Sequence, residues 1–206
     1  MEVAVRTTKH QLYNSASHRT KAAGETDMAT AIPSIACLGV IGRNNNPLHI
    51  SIFPSHDPLT NTLTPIRTPL QFSLLLSSTL DIFDLRAKHS ASAANLSGDY
   101  GLLHAVDERL AAYGFETNTG VKFVVVVDMR GRRVAGLEAG AVGLKESDLK
   151  VVFRAMSTAY VRLLQNPFYE PEESGGAGGG RGIGGKKFSA EMRRIGETWT
   201  VGVTSL

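Results

Sequence analysis

Eight residues near the C-terminus come closest to a recognisable chemistry. Gly180-Arg181-Gly182-Ile183-Gly184-Gly185-Lys186-Lys187 nearly fits a phosphate-binding loop, and Gly180, Gly182 and Gly185 fit G-x-G-x-x-G. Glycines let backbone N–H groups close on the phosphates, while a lysine and a metal-holding Ser or Thr complete such a site. The motif needs a buried strand before it and a helix after it. Here Pro171-Glu172-Glu173-Ser174-Gly175 is no strand, and Lys187 stands where the Ser or Thr belongs. The segment reads as an exposed linker, and a small phosphate-binding enzyme built on it is the rival reading. A single Arg without interleaved aromatics is too little for RNA binding, so no nucleic-acid partner is expected.

The other chemistry-bearing residues do not gather. His10, His18, His49, His56, His89 and His104 show no i, i+4 pair and no cysteine partners, so no zinc site is expected. His49 and His104 fall in strand-like runs at solvent-facing positions. No Gly-x-Ser-x-Gly elbow supports a Ser-His-Asp triad. Cys37 is the single cysteine and cannot close an internal disulfide. It reads as a small buried hydrophobe in a reducing compartment. No catalytic residue, metal or cofactor is expected, and the chain reads as a protein that works by contact. Arg130, Arg132 and Arg133 form one basic cluster, and Arg181, Lys186, Lys187, Arg193 and Arg194 another. Both read first as solvated surface, with at most peripheral attraction to an anionic membrane.

A chain of 206 residues with 42% hydrophobic content suits one globular domain plus tails. No apolar stretch approaches the roughly 20 residues that span a bilayer. Residues 1–30 lack the apolar core of a secretory signal, and Glu2, Glu25 and Asp27 argue against a transit peptide. They are expected to be a disordered extension before a domain at 31–206. Insertions in that domain are expected at 54–69, 129–143 and 172–187.

Ile35 to Ile41 is a continuous apolar run, expected as a buried strand that ends in the turn Gly42-Arg43-Asn44-Asn45-Asn46. Leu48, Ile50 and Ile52 alternate with polar residues, as in a half-buried second strand. Residues 54–69 hold four prolines and read as an irregular loop. Tyr100–Ala105 and Leu110–Thr117 are expected to be strands. Asn118-Thr119-Gly120 then turns the chain into Val121–Val127. That last run is nearly all β-branched, so both its faces should be buried, with helices on both sides of the sheet. Glu146–Gln165 is a clear helix with Ser147 as its N-cap and Leu149, Val152, Phe153, Met156, Tyr160, Leu163 and Leu164 in one stripe. Pro167 stops it, and Phe188–Trp199 is a short third helix.

The first helix begins near Leu70, and Ala87–Ser97 reads as a small-residue linker after it. Phe72, Leu75, Leu76, Leu80 and Phe83 make its core-facing stripe. A second face, holding Leu74, Asp81, Ile82 and Leu85, is not properly polar. A helix that is apolar on two sides needs two things to pack on, its own sheet and either a partner or a further layer of the same chain. Asp81, a carboxylate among apolar neighbours, would lend specificity to such an interface.

The order strand-strand-helix-strand-strand-strand-helix ends in Asn166-Pro167-Phe168-Tyr169-Glu170-Pro171. With Ser34–Ile41 plus Asn46-Pro47-Leu48, Leu80-Asp81-Ile82-Phe83-Asp84 and Tyr113–Asp128, that hexapeptide resembles the sedlin-like small subunits of the TRAPP vesicle-tethering complex. Val126-Val127-Asp128 is closer to the sedlin paralogue than to sedlin itself. The resemblance covers roughly Ile35 to Trp199. It implies an α+β, longin-like (SNARE-like) fold, a five-stranded antiparallel sheet with one helix on one face and two on the other. It implies a non-catalytic subunit that supports assembly of a tethering and Rab guanine-nucleotide-exchange complex. The setting would be cytoplasmic, peripheral at ER-Golgi and Golgi membranes. The partners would be other TRAPP subunits and, indirectly, Rab GTPases. Asp81 matches an acidic position that implicates the first helix in binding other subunits. Asn166, Pro167, Phe168, Tyr169 and Pro171 take a structural role, with Phe168 and Tyr169 packing the turn against the sheet. The alternative within the same fold is a longin domain of SNARE or adaptor σ type. Phe188-Ser189 departs from the family, which often has an acid after that Phe.

Overall fold

The computed structural model describes residues 30–90, 98–134, 143–169 and 185–206. Five strands form one antiparallel sheet: β1 (Thr30–Ile41), β2 (Pro47–Ile52), β5 (Asp99–Ala105), β6 (Leu110–Glu116) and β7 (Lys122–Val134), in the spatial order β2-β1-β7-β6-β5. Two short strands, β3 (Ser55–Asp57) and β4 (Thr62–Thr64), pair separately. The helices are α1 (Pro69–Ser90), α2 (Glu146–Leu164) and α3 (Lys186–Thr198).

The paired centre, β1 on β7, explains why the apolar runs are continuous. Phe123, Val125 and Val127 join Ile35, Leu38 and Val40 in the core under α2 and α3. Val124 and Val126 join Ala36, Cys37 and Ile41 on the opposite side, under α1. Phe123 through Val127 are all 0% exposed, the two-sided burial expected of this strand. At roughly 1.5–3 kcal/mol for each large apolar side chain taken out of water, this strand anchors both layers. Aromatic rings bind the α2 layer to the sheet: Phe115 stacks on Phe153 at 5.8 Å, and Tyr160 meets Phe123 edge-on at 6.0 Å. Trp199, fully buried, donates its indole N–H to the carbonyl of Asp148 at 3.2 Å, which ties the end of α3 to the start of α2.

Asn45 takes φ 61° and Gly120 φ 80°, so both turns use residues that tolerate the left-handed region. Gly196 allows α3 to lie against β1 and the Phe53 ring, because a Cβ there would come within 2.1 Å of that ring.

Five local readings are corrected. Residues 129–134 are strand rather than inserted loop, because Thr30, Ala31 and Ile32 supply backbone partners to Val134, Arg133 and Arg132. Backbone pairing of this kind overrides the poor β-propensity of Gly and Arg. The loop at 54–69 contains the β3–β4 hairpin. Helix α1 continues through the small residues to Ser90, since Ala and Lys are good helix formers. The N-cap of α2 is Lys145, whose N–H donates to Asp148 Oδ2 at 3.1 Å, and Ser147 already lies inside the helix. Leu48 is the extra residue of a bulge, since Val40 faces His49 and Ile41 faces Pro47. It therefore packs with the α2–α3 core while Ile50 and Ile52 sit on the α1 side.

Candidate interaction surface

Helix α1 presents two faces, and the sheet takes only one. Phe72, Leu76, Thr79 and Phe83 are buried against β1, β6 and β7. Thr79 reaches this core without strain because its hydroxyl donates to the carbonyl of Leu76 at 2.6 Å. Opposite them, Leu70, Leu74 and Leu85 are 70%, 63% and 56% exposed, and Asp81 is exposed between the last two. At 100° per residue these four side chains fall within about 60° of one another. They run for about 22 Å along the helix. Ser77, on the same face, and Ser78 beside it turn their hydroxyls back to the carbonyls of Ser73 and Leu75. The stripe is thus less polar than its composition suggests.

Leu74, Asp81 and Leu85 are therefore brought together on one open surface. Ile82 is not. It is half-buried on the flank of the helix and packs against the α1 core. Leu70 belongs to the stripe and was missed, although its position four residues before Leu74 marks the same face. At the far end of α1, Arg86 donates to the carbonyls of Tyr100 and Leu102 on β5. This contact holds the helix end against the edge of the sheet and covers two of its acceptors.

The hexapeptide turn is built as a helix stop. Asn166 N–H donates to Leu163 O at 3.1 Å, Asn166 Oδ1 accepts from Phe168 N–H at 3.2 Å, and its carbonyl accepts from Tyr169 N–H at 3.0 Å. Pro167 cannot continue the helical ladder. Tyr169 packs half-buried against the α2–α3 core. Phe168 does not pack: it is 94% exposed, because the Asn166 turn points it away from the sheet. Pro171 lies outside the described residues.

A buried ion pair also escaped sequence reasoning. Arg109, in the β5–β6 turn, holds Asp128 with Nε–Oδ1 at 3.2 Å and Nη2–Oδ2 at 2.6 Å, while the Asp128 side chain is 0% exposed. Arg109 also donates to the carbonyl of His56 at 3.1 Å, so one guanidinium joins the β5–β6 turn, β7 and β3. Nothing in the spacing of 109 and 128 signals this contact. Only the β6–β7 register, which sets Leu110 opposite Asp128, creates it.

The remaining chemical candidates stay dispersed. Among the described residues no three His, Cys, Asp or Glu side chains gather as a metal would need. His104 is exposed, as its strand position predicts. His49 is half-buried instead, edge-on to Phe188 at 5.2 Å and hydrogen-bonded to Ser51 Oγ at 2.7 Å, because α3 covers it. Burial pushes the Cys37 thiol up to about 12. Of the glycine-rich motif, Gly185 caps α3 and Lys186 and Lys187 open it. Residues 180–184 lie outside the described set, and the element described before them is a helix, not the strand that a phosphate loop follows. No helix among the described residues is long and apolar enough to cross a membrane.

A five-stranded antiparallel sheet with α1 on one face and α2 and α3 on the other is the longin-like arrangement, here with an open second face on its first helix. The profile of the Sedlin family matches residues 40–196, and the chain belongs to that family. Its relatives carry the name of the paralogue. A "trafficking protein particle complex subunit 2-like protein" of Dictyostelium discoideum is 28% identical over 163 residues, covering 78% of this chain and 95% of the relative. Those of Mus musculus and Bos taurus are each 28% identical over 137 residues, covering 66% of this chain and 83% of the relative.

Proposed function

We propose that the chain is a non-catalytic subunit of a trafficking particle, held in it through the outer face of α1. The observation that carries this reading is the stripe of Leu70, Leu74 and Leu85 around Asp81, exposed on the side of the helix opposite the buried Phe72, Leu76, Thr79 and Phe83. Burying each leucine is worth on the order of 1.5–3 kcal/mol before the costs of association. A carboxylate set among them fixes register and partner choice more than affinity. The names of the relatives support membership of a TRAPP complex, and with it contact to other TRAPP subunits. On this reading the link to Rab guanine-nucleotide exchange and to ER-Golgi and Golgi membranes is indirect, through the assembled particle.

The test is a tagged pull-down from lysate with mass spectrometry, comparing wild type with Asp81→Arg and with Leu74→Ser/Leu85→Ser. Wild type is expected to recover TRAPP subunits and both variants to lose them. Recovery by all three moves the interface off α1. Recovery by none removes the proposed membership.

A further inference from the structure

The layer on the other side of the sheet from α1 carries a second open feature. Two hollows of about 640 and 420 Å³ lie along the seam between α2 and α3, and both are lined by Arg162 and Glu191, where they meet. From Leu149 to Tyr169 the chain contains Lys150, Arg154 and Arg162 and no acidic residue. Positions 150, 154 and 162 share one face of α2. Lys186, Lys187 and Arg194 line the α3 side. Beneath these cations lie Val151, Ala155, Ala159, Leu163 and Phe188. The result is a trough with cationic rims and a largely apolar floor, its second hollow also lined by Thr158 and by Thr204, Ser205 and Leu206.

Most of that charge is unspent. Arg194 is committed to Glu191, through bonds of 3.1 and 2.8 Å, and Lys150 lies 3.7 Å from Asp99. Arg154, Arg162, Lys186 and Lys187 make no ion pair among the described residues. Glu191, the one acidic side chain lining the trough, shows what the site favours. The hydrogen bond from Arg194, with the charges of Arg194 and Arg162, holds its carboxyl below the usual range.

We propose that this trough docks an acidic peptide segment of a partner protein, with its carboxylates on the rims and its apolar side chains on the floor. Charge complementarity and shape both select this occupant. Cations on both sides of the seam with apolar side chains between them match a segment that carries carboxylates and apolar side chains together. The distance from Lys150 to Arg162 along α2 is about 18 Å, which suits an extended segment of about five or six residues. The inference stands apart from the α1 reading, because the two surfaces lie on opposite faces of the sheet.

The probe is a fluorescein-labelled 12-residue peptide of alternating Glu and Leu, with a Lys/Leu peptide as control. Binding to the full chain is read by fluorescence anisotropy. The acidic peptide is expected to bind, to weaken between about 50 and about 300 mM salt, and to lose about tenfold or more in affinity with Arg154→Glu/Arg162→Glu. Arg154→Lys/Arg162→Lys, Asp81→Arg and Arg130→Glu/Arg133→Glu should bind within about twofold of wild type. Circular dichroism confirms that each variant is folded. No binding of the acidic peptide, or equal binding by the Arg154→Glu/Arg162→Glu variant, overturns the proposal. So does flotation with phosphatidylserine vesicles in the absence of peptide binding, which would assign the trough to a membrane. Self-association that the same reversal abolishes would assign it to a second copy, and likewise overturns it.

Discussion

The Arg109–Asp128 pair should respond asymmetrically to the loss of either partner. Its side chains are 24% and 0% exposed respectively. Arg109→Leu strands a fully buried carboxylate, for which unpaired burial costs about 3–5 kcal/mol. Asp128 keeps one donor, the N–H of Arg130 at 2.9 Å, which lowers the expected loss to about 2–4 kcal/mol. Asp128→Ala leaves a guanidinium that still reaches the carbonyl of His56 and can turn to water, so about 1–2 kcal/mol is expected. For a domain of this size about 1 kcal/mol moves the midpoint by about 2–4 °C. Arg109→Leu should therefore melt roughly 4–16 °C lower than wild type. The double variant Arg109→Leu/Asp128→Leu should be more stable than Arg109→Leu alone, because no charge is left without its partner. Thermal and urea melts of the three variants measure this. A larger loss for Asp128→Ala than for Arg109→Leu, or a double variant that sums the singles, would refute the burial argument.

Other outcomes follow from exposure and burial. Phe83→Ala, which empties the α1 core beneath Gly114, should cost about 3–5 kcal/mol in chemical denaturation, whereas Leu74→Ser/Leu85→Ser should stay within about 0.5 kcal/mol per site. Phe168→Ala should likewise leave the melting midpoint nearly unchanged, since its ring is 94% exposed. Cys37 should resist a thiol reagent in the folded protein at pH 8 and react only on unfolding. Its folded pKa is raised from the ordinary 9.0 to about 12, so its contribution to stability is complete below about pH 9 and is lost as the pH rises toward 12. Urea midpoints measured across that window give the sign.

Local patterns determined a good part of the architecture. The β-branched run at 121–127 demanded cover on both faces, and it has α1 on one and α2 and α3 on the other. The apolar stripe of α1 marked its core face, and the surplus of leucines marked the other. Asn45 and Gly120 announced their turns through the conformations they tolerate. These are short-range facts, written in spacing and residue type. What the tertiary structure decided depends on chain segments distant in sequence. Strand β7 runs on through Gly131 and the arginines because Thr30–Ile32 pairs with it, a contact that no local propensity records. Asp128 is buried because register brings Arg109 beside it, and His49 is covered because α3 crosses β2. Phe168 and Ile82 are apolar letters of the same kind, yet one is almost fully exposed and the other half-buried. Hydrophobicity sets a preference for burial, but only the packed chain determines which apolar side chains find a neighbour.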